Sequence, residues 1–168
     1  MTEKILLSVI MIIICFLIGN MISAGMKMRV IQLEKLISML DEMSVLIRFR
    51  AIRTYELIGE ISKQECFKNF IFLNILNGYI EDNTDINESW RNAVSYAMFF
   101  NESDRNILMN IGEQLGETDI DGQLSMLNLN KVLAERNLSD AQNEYRIKGK
   151  MIKNVWSLCG IAAGIMII

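Results

Sequence analysis

The chain has 168 residues, 51% of them hydrophobic, a formal net charge of −3, and neither histidine nor proline. Without histidine it lacks the usual general base, the usual metal ligand and every Ser–His or Cys–His nucleophile pair, which argues against an enzyme. Its three cysteines, Cys15, Cys66 and Cys159, have neither metal-binding nor redox spacing, so we expect no metal and no cofactor.

The first predicted element is a membrane-spanning helix over residues 1–26. Ile5 to Ile18 is interrupted by one polar side chain, and the weakly polar stretch to Met26 extends it to about twenty residues, enough to cross a bilayer. A cleaved signal peptide is the alternative, because Ser23-Ala24-Gly25 offers small residues after an apolar run. Basic residues directly after that site disfavour export, so the pattern favours an uncleaved anchor.

A helical domain is predicted over residues 27–153. Apolar residues recur with helical spacing along this region and no stretch alternates as a strand would. On the first helix the predicted buried stripe is Val30, Leu33, Leu36, Ile37, Leu40, Met43 and Ile47. The predicted helices cover Val30 to Arg50, Thr54 to Ile61, Glu65 to Tyr79, Asn87 to Phe99, Asn101 or Ser103 to Leu115, and a long segment after Asp119, with a polar loop at Glu81 to Asp85.

The C-terminal segment, residues 154–168, is predicted to be a second membrane anchor. Val155 to Ile168 is nearly all apolar, although about 21 Å of helix is short of the ~30 Å hydrocarbon core. Since the first and last helices both begin at the membrane, they must lie side by side. The predicted fold is therefore all-α, a six-helix bundle on a long antiparallel helix pair with N-terminal and C-terminal membrane helices.

Small residues mark a predicted contact between the two membrane segments. Gly160 and Gly164 form a GxxxG pattern, and Gly19 and Ser23 form a similar face on the first segment. Such faces allow two helices to approach closely in a membrane. Trp90 and Trp156 are interpreted as core or interface anchors.

Charge is distributed unevenly along the chain. Basic residues lie on the inner flank of both apolar segments, which places the middle of the chain in the cytoplasm and both termini outside. Between Glu81 and Asp121 there are ten acidic residues and two basic ones, which argues against nucleic acid and favours a basic protein partner. The basic flanks suit anionic lipid head groups. A merely solvated acidic surface is the alternative. The flanking basic residues are Lys27, Arg29, Lys35, Arg146, Lys148, Lys150 and Lys153.

The densest polar patch covers Gly112 to Gln123. A calcium loop counted from Asp119 would need glycine at position six and glutamate at twelve, where this chain has Leu124 and Asn130. A catalytic carboxylate pair has no neighbouring base or nucleophile. The preferred interpretation is structural: Gly116 allows a left-handed helix end, and Asp119 or Thr118 caps the next helix.

This patch resembles the stage III sporulation protein AB family, whose phrase is G-E-x-L-G-x-x-D-I-x-x-Q. A tryptophan before a charged helix is a further match, although the family tends to have Ala-Trp where this chain has Ser89-Trp90. The resemblance extends over the whole chain in length, element order and charge layout. The residues that carry the phrase are Gly112, Glu113, Leu115, Gly116, Asp119, Ile120 and Gln123.

The resemblance implies a function as well as a fold. Members are expected in the mother-cell membrane around the forespore, with a cytoplasmic domain similar to that of type II secretion platform protein F. The implied partners are other proteins of the stage III sporulation operon, including a secretion-type ATPase and membrane channel components; self-association is left open. We expect partner binding at Gly112, Glu113, Gly116, Glu117, Asp119, Asp121 and Gln123.

The leading hypothesis is accordingly a non-enzymatic platform or adaptor of a sporulation-specific, secretion-like channel between mother cell and forespore. The alternative is a generic two-anchor membrane sensor or assembly factor unrelated to sporulation. A membrane enzyme using the acidic patch is disfavoured, because no histidine and no metal spacing support it.

Overall fold

The computed structural model describes residues 2–50, 54–81 and 85–167, and side-chain surroundings within 6–50, 56–80 and 85–166. Within these ranges the chain is all α-helical and contains no strand, which confirms the predicted fold class. A single 3₁₀ turn, Glu65–Phe67, lies between the second and third helices. The six helices are α1 Thr2–Arg50, α2 Thr54–Ser62, α3 Ile71–Glu81, α4 Ile86–Tyr96, α5 Glu102–Gln114 and α6 Ile120–Ile167.

By packing, the chain divides into two compact units. The terminal unit comprises Met1–Val30 and Asp140–Ile168, and the central unit comprises Ile31–Ser139. Helices α1 and α6 each contribute to both units. The membrane boundaries expected at residues 26 and 153 are a separate question from this division and stay predictions.

Helix α1 has the composition of a membrane span in its first half. Among the described helices it is the one long and apolar enough to cross a membrane, with a mean hydropathy of 2.6 in its most apolar stretch. Only 17% of that stretch is buried. The exposed side chains include Leu7, Ile13 and Phe16. They differ in this respect from the core helix of a soluble domain, whose apolar residues are covered.

The second half of α1 supplies one wall of the central core. Most of the predicted stripe is buried, while Val30 and Ile37 are half-buried. Met39 and Leu46 are buried as well, which widens the apolar face beyond the predicted stripe. A wide face is what a helix needs when it packs against neighbours on two sides. The buried members of the predicted stripe are Leu33, Leu36, Leu40, Met43 and Ile47.

The third predicted helix is wrong in its first part. Instead of one helix from Glu65 to Tyr79, a 3₁₀ turn precedes a break, and α3 begins at Ile71. The buried side chain of Gln32 holds this break: its Nε2 donates to the Asn69 carbonyl oxygen at 3.1 Å, and its Oε1 accepts from the Ile71 N–H at 3.0 Å. Because a distant amide satisfies these backbone groups, the chain does not need a continuous helix there.

The fourth helix ends three residues earlier than predicted. Ala97 is extended and Phe99 has a φ of 72°, so the chain turns sharply after Tyr96. This turn lets both Ala97 and Phe100 reach the core, where they are 1% and 5% exposed. The Phe100 ring meets Phe70 edge-on, with centroids 6.4 Å apart. Core packing therefore outweighs the helical pattern that continues to Phe99.

The fifth helix begins directly after Asn101, which is one of the two N-caps expected from the sequence. The Asn101 side chain accepts from the Asp104 N–H at 2.9 Å, and the Asp104 carboxylate accepts from the Asn101 N–H at 3.1 Å. These reciprocal bonds satisfy two N–H groups that a helix start leaves unpaired. The expected polar loop falls largely on residues 82–84, which lie outside the described residues.

Candidate functional site

Residues 112–123, which we call the turn, comprise the end of α5, the connection to α6 and the start of α6. The turn begins with a close contact in the core. Gly112 lies against the indole of Trp90, and a Cβ at this position would overlap the ring. Trp90 is 4% exposed, and its Nε1–H donates to the Leu108 carbonyl oxygen at 2.7 Å. Its ring also meets Phe72 edge-on at 5.1 Å. Gly112 is therefore required for packing, because only glycine leaves room for the indole.

Gly116 ends α5 with a left-handed residue. Leu115 is buried at the helix end, and the next residue has a φ of 89°. This backbone conformation is easily adopted by glycine and costs other residues energy. The chain thus reverses immediately after its last apolar anchor, as expected from the sequence.

Asp119 starts α6 as its N-cap. Its Oδ1 accepts from the Gly122 N–H at 3.0 Å, so Asp119, rather than Thr118, provides the cap. The Gln123 side chain reaches back and donates to the Thr118 carbonyl oxygen at 2.8 Å. Both residues therefore stabilise the turn itself.

Three other acidic residues of the turn have no such structural task. Glu113, Glu117 and Asp121, which we call the turn carboxylates, are exposed and form no ion pair with any described residue. They offer an accessible anionic surface on a turn whose shape is set by Gly112, Gly116, Asp119 and Gln123. Among the described residues no group of His, Cys, Asp or Glu is arranged to hold a metal ion.

A shallow cleft of about 200 Å³ adjoins the turn. Its walls include Asn87 and Arg91 of α4 and Met109 and Glu113 of α5. Arg91 and Glu113 thus bring opposite charges to one opening. The sequence did not single out Asn87 or Arg91, since nothing in the pattern indicates that α4 packs beside the end of α5.

Polar contacts fix α5 against α6 behind the turn. Asn137 donates to the Asp104 Oδ1 at 2.8 Å, and Asn110 donates to the Asn130 Oδ1 at 3.3 Å. Asp104 and Asn130 are fully buried. Because buried polar groups are costly unless bonded, these pairs favour one register of the two helices. No residue pattern indicates these pairs, because asparagine is frequent throughout the chain.

The small residues predicted to pack in the membrane lie where α1 meets α6 in the terminal unit. A Cβ at Gly19 would lie 2.8 Å from the Trp156 Cβ, one at Gly160 would lie 3.0 Å from the Cys15 Cβ, and one at Gly164 would lie 3.2 Å from the Ile12 Cδ1. Ser23 is buried. That this contact lies within a membrane stays a prediction.

The terminal unit also contains an ionic cluster, formed by Arg29 of α1 and by Glu144 and Lys148 of α6. The Glu144 carboxylate lies 3.6 Å from Arg29 and 2.7 Å from Lys148. The hydrogen bond from Lys148 lowers the pKa of Glu144 against the opposing effect of desolvation, and the charges of Lys148 and Arg29 add to it. The ion pair between Arg29 and Glu144 therefore links α1 to α6 as long as the Glu144 carboxyl is ionised.

Comparisons with known proteins identify relatives. A sequence model of the family described as stage III sporulation protein AB matches residues 4–168. A solved structure of a protein named Stage III sporulation protein AB (SpoIIIAB) superposes with a TM-score of 0.56 at 17% identity, covering 68% of this chain and 93% of that chain. At that identity the structural likeness shows a shared fold. A search of curated proteins finds no significant match.

Proposed function

Because the chain belongs to the stage III sporulation protein AB family, we propose that it is a non-enzymatic membrane platform or adaptor of a sporulation-specific, secretion-like channel between mother cell and forespore. The family match confirms the resemblance carried by the Gly112 to Gln123 phrase, and with it a role in sporulation. The observation that carries the platform proposal is the exposed set of turn carboxylates on a turn shaped by its neighbours.

The membrane arrangement is part of this proposal. Helix α1 crosses the mother-cell membrane around the forespore, and the apolar end of α6 returns through it as the second anchor. The order of contacts supports an antiparallel pair, since Gly164, Gly160 and Trp156 of α6 meet successively later residues of α1. Basic flanks then keep the central unit in the cytoplasm and both termini outside.

The turn carboxylates provide the proposed docking surface. Glu113, Glu117 and Asp121 attract a basic surface on the cytoplasmic secretion-type ATPase of the same operon. Rim charges of this kind act chiefly on the rate and specificity of association. Channel components and other proteins of the operon would bind through the membrane-embedded part.

The proposed experiment removes the charge of the turn carboxylates without changing the conformation of the turn. The variant Glu113→Gln/Glu117→Gln/Asp121→Asn removes the three turn carboxylates and keeps Asp119, so the N-cap of α6 stays intact. We expect capture of the ATPase by the full-length protein in detergent to fall about tenfold or more, while far-UV circular dichroism stays unchanged.

The matched control, Glu34→Gln/Glu56→Gln/Glu65→Gln, removes three exposed glutamates on other elements. It should capture the ATPase as the unaltered chain does. If both triple variants capture the ATPase as well as the unaltered chain does, the docking surface lies elsewhere. If both lose capture to the same extent, the loss follows from the change in net charge and not from the turn carboxylates.

A further inference from the structure

A cleft of about 380 Å³ opens in the terminal unit, where the basic part of α6 packs beside α1. Five residues of α6 line it together with Ser23 of α1. Along α6 its lining residues come directly before the apolar stretch that begins at Val155, which is the level of the lipid head groups in the proposed arrangement. The α6 lining consists of Tyr145, Arg146, Gly149, Lys150 and Lys153.

The cations of this cleft are not neutralised by protein carboxylates. Arg146, Lys150 and Lys153 form no ion pair with any described residue. Nearby Arg29 and Lys148 are different, since Glu144 pairs with both. Three positive charges on one side of α6 thus face an opening without a counter-charge from the described chain.

Ser23 of α1 contributes a hydroxyl group to the lining of the cleft. The residue as a whole is 2% exposed, and it lines the opening together with Gly149 of α6. A serine hydroxyl can donate one hydrogen bond, so it can serve a ligand in the cleft that offers acceptor oxygens.

Glycine keeps the space beside this hydroxyl open. A Cβ at Gly149 would lie 3.4 Å from the Ser23 Oγ and 3.0 Å from the Tyr145 ring. Any larger residue would fill the approach to the serine. The lack of a side chain at Gly149 therefore helps to keep open the cleft that the cations line.

We propose that this cleft binds the phosphodiester head group of an anionic phospholipid from the cytoplasmic leaflet. A phosphate group offers acceptor oxygens and negative charge, which three cations and a hydroxyl donor complement. Free phosphate has the same chemistry, but both helices continue from the cleft into apolar segments, where acyl chains would lie. This inference rests on the proposed membrane arrangement.

The experiment is native mass spectrometry of the full-length protein in detergent with equal amounts of phosphatidylglycerol and phosphatidylcholine. The unaltered chain should retain phosphatidylglycerol preferentially, by about tenfold or more. Lys150→Gln/Lys153→Gln should abolish the preference. The matched control Lys27→Gln/Lys63→Gln also removes two exposed lysines, neither of which lines the cleft, and should keep the preference.

A second variant tests the hydroxyl without altering charge. Ser23→Ala should weaken retention of phosphatidylglycerol, whereas Ser157→Ala, a half-buried serine outside the cleft, should leave it unchanged. Equal retention by the two lysine variants, or no preference in the unaltered chain, overturns the proposal. Displacement of the lipid by excess inorganic phosphate assigns the site to free phosphate instead.

A separate experiment tests whether the chain is embedded in the membrane at all. Alkaline carbonate extraction of cell membranes shows whether the chain is embedded. A chain released by carbonate contradicts both the proposed function and this site. An embedded chain without preference for phosphatidylglycerol contradicts the lipid site alone.

Discussion

Single side chains decide where the helices of the central unit begin, end and approach one another. Gln32 supports the break before α3, Asp119 starts α6, and Gly112 admits the indole of Trp90. Gln32 and Asp119 satisfy backbone groups, and Gly112 leaves the room that the indole needs. Several residues of the family phrase are therefore structural, and for this reason the proposed docking surface is limited to the turn carboxylates.

Gly112→Ala should destabilise the central unit by about 1–3 kcal/mol, because the added methyl group has to displace the buried Trp90 ring. Thermal unfolding in detergent, followed by circular dichroism, measures the loss. Gly59→Ala and Gly78→Ala are the controls, since a Cβ at either position meets open space. In these helices alanine should stabilise by about 0.5–1 kcal/mol. A Gly112→Ala variant as stable as the controls would contradict the packing argument.

At Ser89 we expect an alanine substitution to stabilise the protein, which is the opposite of the effect expected at Gly112. Ser89 is fully buried on α4, and its hydroxyl has no hydrogen-bond partner among the described residues. Ser89→Ala should therefore stabilise the protein by about 1 kcal/mol, since it removes an unsatisfied polar group and favours the helix. Ser95→Ala on the same helix, where the hydroxyl donates to the Arg91 carbonyl oxygen and is exposed, should change little. A lower melting temperature for Ser89→Ala would mean that its hydroxyl has a partner.

Pairs of helices are held in register by polar contacts that cross between them. On α6, Asn130 and Asn137 bond to α5, while Lys131 donates to the Asp41 carboxylate of α1 at 2.6 Å. The hydrogen bond to Asp41 raises the pKa of Lys131. Apolar packing alone would tolerate sliding of one helix along another, whereas these pairs favour one alignment.

The Glu144 cluster predicts a pH dependence of stability. Because the folded pKa of Glu144 is lowered, its contribution is fully present above the ordinary glutamate pKa and is lost as the pH falls through the folded value. Glu144→Gln should lower the melting temperature at neutral pH, and the difference from the unaltered chain should shrink below about pH 4. Glu135→Gln, whose contact with Lys131 is 3.9 Å, is the control. A difference that persists at low pH would assign the loss to packing.

At the scale of the whole molecule, two long helices each contribute to two packing units. In the terminal unit their contact places Gly19, Gly160 and Gly164 against side chains of the other helix, so the backbones approach closely. Many apolar side chains of this unit, among them Leu7, Phe16, Leu158 and Ile165, are exposed. This close contact is the physical basis of the proposal that the two ends of the chain form one membrane anchor.

An engineered disulfide tests the contact between the two ends. In a Cys66→Ser/Cys159→Ser background, Gly160→Cys should link to Cys15 on mild oxidation of membranes, because the two Cβ positions lie about 3 Å apart. Intact-mass measurement after thiol alkylation detects the intramolecular bond. Ala162→Cys, at an exposed position of α6, should not link to Cys15 within one chain. Equal linkage at both positions would contradict the observed contact face.

Local patterns predicted much of the fold and part of the site. Helical spacing gave the class and number of helices, and Asn101, Gly116 and Asp119 were predicted from residue type because capping depends on a few neighbouring atoms. The break at Asn69 and the turn at Phe99 were not predictable, since their causes, Gln32 and the packing of Phe100, come from elsewhere in the chain.

By itself the sequence determined the all-helical class, the apolar ends and the family, because periodicity, hydropathy and a twelve-residue phrase are properties of neighbouring residues. Only the tertiary structure decided which acidic residues remain available and which cations face an open cleft. Asp104 and Glu117 are both acidic in sequence, yet Asp104 is buried and accepts a hydrogen bond from Asn137 of α6, whereas Glu117 is exposed and forms no ion pair with any described residue. That distinction depends on contacts formed when separate helices pack, which no local pattern contains.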